Sequence, residues 1–340
     1  MRKLAIAAVI GLGILTAQDV VIRGGVALVD LLVTVRDKKG ALAKNLKQSD
    51  FRILEEGQEQ QITRFARETD LPLTIGMLVD VSGSVATEVS DERRAARQFF
   101  TQVLRPHDQA FLIGFSRKAE LLQDTTDSIQ KLQQGLDELL PGKASTPSQV
   151  VFAQFPGRFP LPIPGPRPGR SPRPRPGGGP TKGPGPGRGR MVGGTVLYDA
   201  VFLAADEVLR PATGRKAIIL ITDGEDQGSL VPLSRALEAA VKSDVIIYSI
   251  FVKPDRRRGV GEDVLERLSG ETGGRVFRLE KRNLEKIFAE INEELRSQYS
   301  ISYNPTNTAR DGAYRRIEIQ MADKSMKPQA RKGYYAAGRE

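Results

Sequence analysis

Apolar residues along this chain follow two different rhythms. Over residues 26–67 they form strand-like runs: "VALVDLLVTVRD" is rich in β-branched residues, "DKKG" supplies a turn, and "DFRILEEGQEQQITRFARE" holds two short alternating runs around Glu56 and Gly57. After Pro72 strands and helices alternate. "LTIGMLVDV" is a continuous apolar strand of the kind buried on both faces of a parallel sheet. "VATEVSDERRAARQFFTQVL" has helical spacing, with Val89, Ala96, Phe99, Phe100 and Val103 on one stripe. "QAFLIGFS" and "AELLQD" read as strands and residues 128–140 as a helix. Further along, the strands are "KAIILITD", "DVIIYSIFV" and "RVFRL", and the helices are "TVLYDAVFLAADEVL", "PLSRALEAAVKS", "EDVLERLSGETGG" and "NLEKIFAEINEELRSQ". Such alternation predicts an α/β fold, a doubly wound and mostly parallel sheet, over residues 71–298.

From residue 299 the pattern is β-like again, in "YSISYNP", "AYRRIEIQMA" and "QARKGYYAA". The flanks, 18–70 and 299–340, are therefore expected to pack together as one small β-sandwich-like module, with the α/β domain inserted between them.

One stretch fits neither rhythm. Residues 141–194 carry twelve prolines between Pro156 and Pro186, and proline removes the backbone donors that helix and sheet require. A disordered, partly polyproline-II insertion is expected there. It also changes the meaning of the charge. The chain carries a formal +10, but nine basic residues and no acidic one lie between Glu138 and Asp199. The folded parts are close to neutral. Arginine and proline without interleaved aromatic residues do not make a specific nucleic-acid surface, so none is expected. The insertion is either a tolerated loop or a basic arm that associates with an acidic partner or the cell envelope.

The first residues, "MRKLAIAAVIGLGILTAQDV", place Arg2 and Lys3 before an apolar run that ends in small residues, the layout of a signal peptide over 1–17. The run is shorter than the roughly 20 residues of a membrane-spanning helix, and no later segment reads as a span. The expected location is periplasmic, envelope-bound or secreted. With no cysteine, the chain has neither disulfides nor thiolate chemistry.

Candidate chemistry sits where the first parallel strand ends, in "LVDVSGSV". Ligands of open α/β sheets bind at the carboxyl ends of strands, and Asp80, Ser82 and Ser84 stand there on alternate residues. A carboxylate and two hydroxyls are hard oxygen donors suited to Mg²⁺ or Mn²⁺. A six-coordinate ion needs more oxygens than these three. Asp223 ends a second strand in "ILITDGED", and Thr195 opens a helix in "VGGTVLYDA". Glu225 and Asp226 read as solvated loop charges or as partners of the ion through water. His107, the sole histidine, reads as a surface turn residue. A nucleophile elbow is absent from "DVSGS", so no catalysis is expected.

These residues resemble the metal-ion-dependent adhesion site of the von Willebrand factor type A (vWA) domain: D-x-S-x-S, then a threonine, then an aspartate on a later strand, here Asp80, Ser82, Ser84, Thr195 and Asp223. The flanking "LTIGMLVDVSGSV", "GGTVLYDAV" and "KAIILITDGED" are also similar to that family, and "SDFRILEEGQEQQITRF" and "RKGYYA" resemble segments of an exported bacterial group related to it. The resemblance implies a vWA fold and a Mg²⁺ or Mn²⁺ ion touched by Ser82, Ser84 and, depending on conformational state, Thr195. Asp80 and Asp223 would bind it directly or through water. It further implies an open position on the ion for an acidic side chain of a protein partner, hence metal-dependent binding or adhesion. A metal-independent scaffold or assembly factor of the cell envelope is the alternative, and a metal-dependent hydrolase is the third reading.

Overall fold

The computed structural model describes residues 28–68, 71–82, 89–139, 194–253, 260–280 and 283–338. The expected signal peptide, Ser84, the insertion up to residue 193 and the arginines of "PDRRRGVGED" lie outside the described residues.

The centre is a six-stranded sheet built from β5 (Leu73–Asp80), β6 (Gln109–Phe115), β7 (Ala119–Thr126), β8 (Arg215–Thr222), β9 (Val245–Val252) and β10 (Val276–Leu279). Its order is β10-β9-β8-β5-β6-β7, and every pair is parallel except β6 with β7 at one edge. The four central strands are apolar on both faces because both are covered. Ile75, Met77 and Val79 of β5, with Ala217, Ile219 and Ile221 of β8, join a core under α1 (Val89–Val103), α2 (Ile129–Asp137) and α6 (Leu284–Leu295). Leu78, Ile218 and Leu220 point the other way, under α3 (Leu197–Phe202), α4 (Leu233–Lys242) and α5 (Val260–Thr272). On the first face Phe99 of α1 stacks on Phe288 of α6, with ring centroids 4.6 Å apart. The doubly wound α/β sheet expected from the alternation is the one observed.

Two features depart from the sequence pattern. The helix read over "TVLYDAVFLAADEVL" changes its winding, continuing from α3 as a π-helix over Leu203–Leu209. The β-like tail "QARKGYYAA" is two short strands, β13 (Lys327–Gln329) and β14 (Gly333–Tyr335), in two different sheets.

The flanks do form one module. β1 (Val29–Arg36) and β4 (Ile62–Glu68) from the front of the chain sandwich β11 (Gln298–Tyr303) from the back, in the sheet β13-β1-β11-β4. β12 (Tyr314–Met321) pairs with β2 (Phe51–Glu55) in the sheet β14-β12-β2-β3, where β3 is Gln58–Gln60. Glu56 and Gly57, both at positive φ (50° and 81°), join β2 to β3 in a two-residue turn whose twist suits a hairpin. Leu31, Val33, Tyr299 and Ile301 from one sheet and Phe51, Ile53 and Ile317 from the other share a single core.

This module packs against the edge of the central sheet where its parallel strands begin. Arg331 pairs with Asp244, the residue before β9; the Lys332 N–H bonds the Glu271 carbonyl (3.0 Å) and Gln329 bonds the Gly273 carbonyl (3.0 Å). Arg36 of β1 reaches Glu294 in the last turn of α6. The strand ends that carry the candidate chemistry lie at the opposite edge.

Candidate metal centre

Adjacent parallel strands bring the first carboxylate and the last together. β5 and β8 run in register with Val79 opposite Ile221, so Asp80 comes level with Thr222, and Asp223 follows one residue later. Asp80 is fully buried, and its two oxygens are separately engaged. Oδ1 accepts the Ser82 N–H at 2.9 Å, and Oδ2 accepts the Thr222 hydroxyl at 2.7 Å. The Ser82 hydroxyl bonds this carboxylate as well. Burial pushes the Asp80 carboxyl up to about 6; bonds from Ser82 and Thr222 oppose the rise, and the negative charge of Asp223 adds to it.

Asp223 is 5% exposed and its Oδ1 accepts the Glu225 N–H at 3.0 Å. The next residue, Gly224, sits at φ +76° with its N–H bonded to the Thr222 hydroxyl (3.1 Å). A Cβ there would lie 2.2 Å from the Gly261 carbonyl oxygen at the start of α5. Only glycine permits both the left-handed turn and this backbone approach.

Thr195 is 7% exposed and stands just ahead of α3. Its carbonyl accepts the Gln227 N–H (2.9 Å) from the loop after β8, and the neighbouring Val196 N–H bonds the Ser116 carbonyl (2.8 Å) just past β6. The segments after β6 and β8 thus hold Thr195 at the same sheet edge as Asp80, Ser82 and Asp223.

Several residues that shape this edge carried no signal in the sequence. Thr222 orients Asp80. Asp199, in the first turn of α3, is buried and accepts the Leu230 and Val231 N–H groups at 2.9–3.0 Å. Burial raises its carboxyl, opposed by those two N–H groups. The Ser229 hydroxyl accepts the N–H groups of Tyr198 (3.0 Å) and Asp199 (3.2 Å), and Asp226 accepts from Tyr198 (3.3 Å). Val196 gives α3 no side-chain cap, so this loop serves the helix's unpaired first N–H groups instead. Asp226 is accordingly half-buried and engaged, while Glu225 accepts from Gln227 (3.1 Å). His107 lies at the other edge, exposed, at φ +76° in the turn before β6.

Among the described residues no three His, Cys, Asp or Glu side chains gather into a metal cluster. The set here is two carboxylates with hydroxyls. It fits a hard divalent cation on one physical ground: two buried carboxylates in each other's field carry a desolvation and repulsion cost that a cation beside them would remove.

Residues 75–153 match the family model described as the von Willebrand factor type A domain, a span that contains Asp80, Ser82 and Ser84 and ends before Thr195 and Asp223. No curated protein matches the chain. Similar solved structures include proximal thread matrix protein 1 from the mussel byssus, at 13% identity over 68% of this chain and 50% of that one (TM-score 0.45). This chain thus spans about half the length of the mussel protein, of which another structure has its MIDAS motif occupied by zinc. A von Willebrand factor type A structure from Catenulispora acidiphila is 12% identical over 92% of this chain and 74% of that one (TM-score 0.44). The conserved hypothetical protein BatB from Bacteroides thetaiotaomicron is 17% identical over 66% and 100% (TM-score 0.42).

Proposed function

We propose that this chain is an exported protein that binds a partner protein through a divalent cation, Mg²⁺ or Mn²⁺, at the C-terminal edge of its parallel sheet. One observation carries the reading: Asp80, wholly buried at the end of β5, faces the charge of Asp223 from the neighbouring strand, with Ser82 hydrogen-bonded to it. The match of residues 75–153 to the von Willebrand factor type A model supports it. So does the signal-like pattern of residues 1–17, which carries the export part of the reading.

In this reading Ser82, Ser84 and Thr195 offer neutral hydroxyl oxygens, and Asp80 and Asp223 offer charge directly or through water. A bound cation supplies an electron-poor centre that accepts a carboxylate from outside. The chain's own part is to hold those oxygens still, Asp80 through Ser82 and Thr222, and Asp223 through the Gly224 turn. Its one histidine stands at the opposite edge of the sheet, where it offers no base to this centre. We take the chain as a binding module.

Capture of envelope proteins on the immobilised full chain tests it. A specific partner should be retained in Mg²⁺ or Mn²⁺, released by chelator, and missed by Asp80→Ala. Retention that persists in chelator would favour a metal-independent scaffold, and metal-dependent turnover of a substrate would favour an enzyme.

A further inference from the structure

Leu230 is the most exposed large apolar side chain among the described residues, 81% in solvent against 44% for Leu71, the next. A leucine on a slack loop would need no explanation, but this loop is held rigidly. The Leu230 N–H bonds both oxygens of Asp199 (2.9 and 3.0 Å), the Val231 N–H bonds the same carboxylate (2.9 Å), and Ser229 is tied to the start of α3. Asp199, itself only 6% exposed, spends its carboxylate on this backbone. Val231 beside it is buried, so the backbone is anchored while the Leu230 side chain is displayed.

The display belongs to the metal edge. The loop begins at Asp223, and Gln227 within it bonds the Thr195 carbonyl. Leu230 is three residues beyond Gln227, at most about 11 Å from it between Cα atoms, and its N–H is held by Asp199, four residues after Thr195. An extended partner segment advances about 3.3 Å per residue, so one short segment can reach both points. The metal-dependent reading brings a protein partner's acidic side chain to this edge, so the apolar group's occupant is a neighbouring side chain of that same protein segment.

We infer that Leu230 is the apolar contact of this binding surface. The partner it fits is a protein segment whose acidic side chain is accompanied, within about five residues, by an aliphatic or aromatic side chain that packs on Leu230. This rests on the metal-dependent reading above.

Panning the full chain against a displayed library of random linear peptides in Mn²⁺, with release by EDTA, tests it. Released clones should share an Asp or Glu with an apolar companion within that spacing. A synthetic peptide of this kind should bind about tenfold more weakly to Leu230→Ser than to the wild type. Its serine-substituted control should bind both alike, and the variant's melting temperature should be unchanged because the side chain lies in solvent. Clones that share an acidic residue without the apolar companion, or equal affinity of the synthetic peptide for both proteins, would overturn the inference and leave the metal-dependent reading standing. Absence of any EDTA-released acidic motif would overturn both.

Discussion

At the scale of single residues, the Asp80 carboxylate is fixed on both oxygens, and Thr222 does half of that work. Its hydroxyl donates to Asp80 Oδ2 and accepts from the Gly224 N–H, so one side chain couples the first carboxylate to the turn that carries the second. Thr222→Val keeps the shape and removes the hydroxyl, leaving a buried carboxylate oxygen and a buried N–H without it. Urea denaturation should show a loss of about 1–3 kcal/mol; unchanged stability would mean that the hydroxyl holds nothing. Asp80 and Asp223 were legible in the sequence because each ends an apolar run with a charge. Thr222 was not, since a threonine in such a run reads as one more β-branched strand former. Asp199 and Ser229 were hidden for a different reason: Asp199 binds N–H groups 31 and 32 residues away and Ser229 binds N–H groups 30 and 31 away, and no local pattern records that.

At the scale of elements, α6 joins the two modules through Glu294. Its Oε1 meets both Arg36 of β1 and Arg275, while Oε2 has no hydrogen-bond partner among the described residues. Burial outweighs the two guanidinium groups, so the carboxyl lies above the usual range. A raised folded value means that the folded state holds the proton more tightly than the unfolded chain does. The contribution of this group is then fully present below the ordinary glutamate value of about 4.3 and is lost as pH rises through the folded value. Glu294→Gln has no proton to lose. Denaturation of both proteins from about pH 4 to about pH 8 should show the wild type losing stability relative to the variant as pH rises, and a constant difference would contradict this. Strands and helices were legible from their periods of two and 3.6. Their partners were less so: "QARKGYYAA" looks like one strand, yet Lys327–Gln329 pairs with β1 and Gly333–Tyr335 with β12, because the chain crosses from one sheet of the sandwich to the other.

At the scale of the whole molecule, the two ends of the chain close into one β-sandwich, which takes the edge where the parallel strands start and leaves the candidate metal centre at the edge where they finish. That division was visible in outline, since β-rich flanks around an alternating middle invite pairing of the flanks, whereas the edge they would choose was not. The choice is made by particular long-range partners, Arg331 with Asp244 and Arg36 with Glu294. The account stands or falls on whether oxygens from β5, from β8 and from the start of α3 act as one cation site. Calorimetric titration of the full chain with Mn²⁺ measures this directly. It should give one site in the wild type and none in Asp80→Ala, and a wild type that takes up no ion, or an Asp80→Ala variant that binds as tightly, would contradict it.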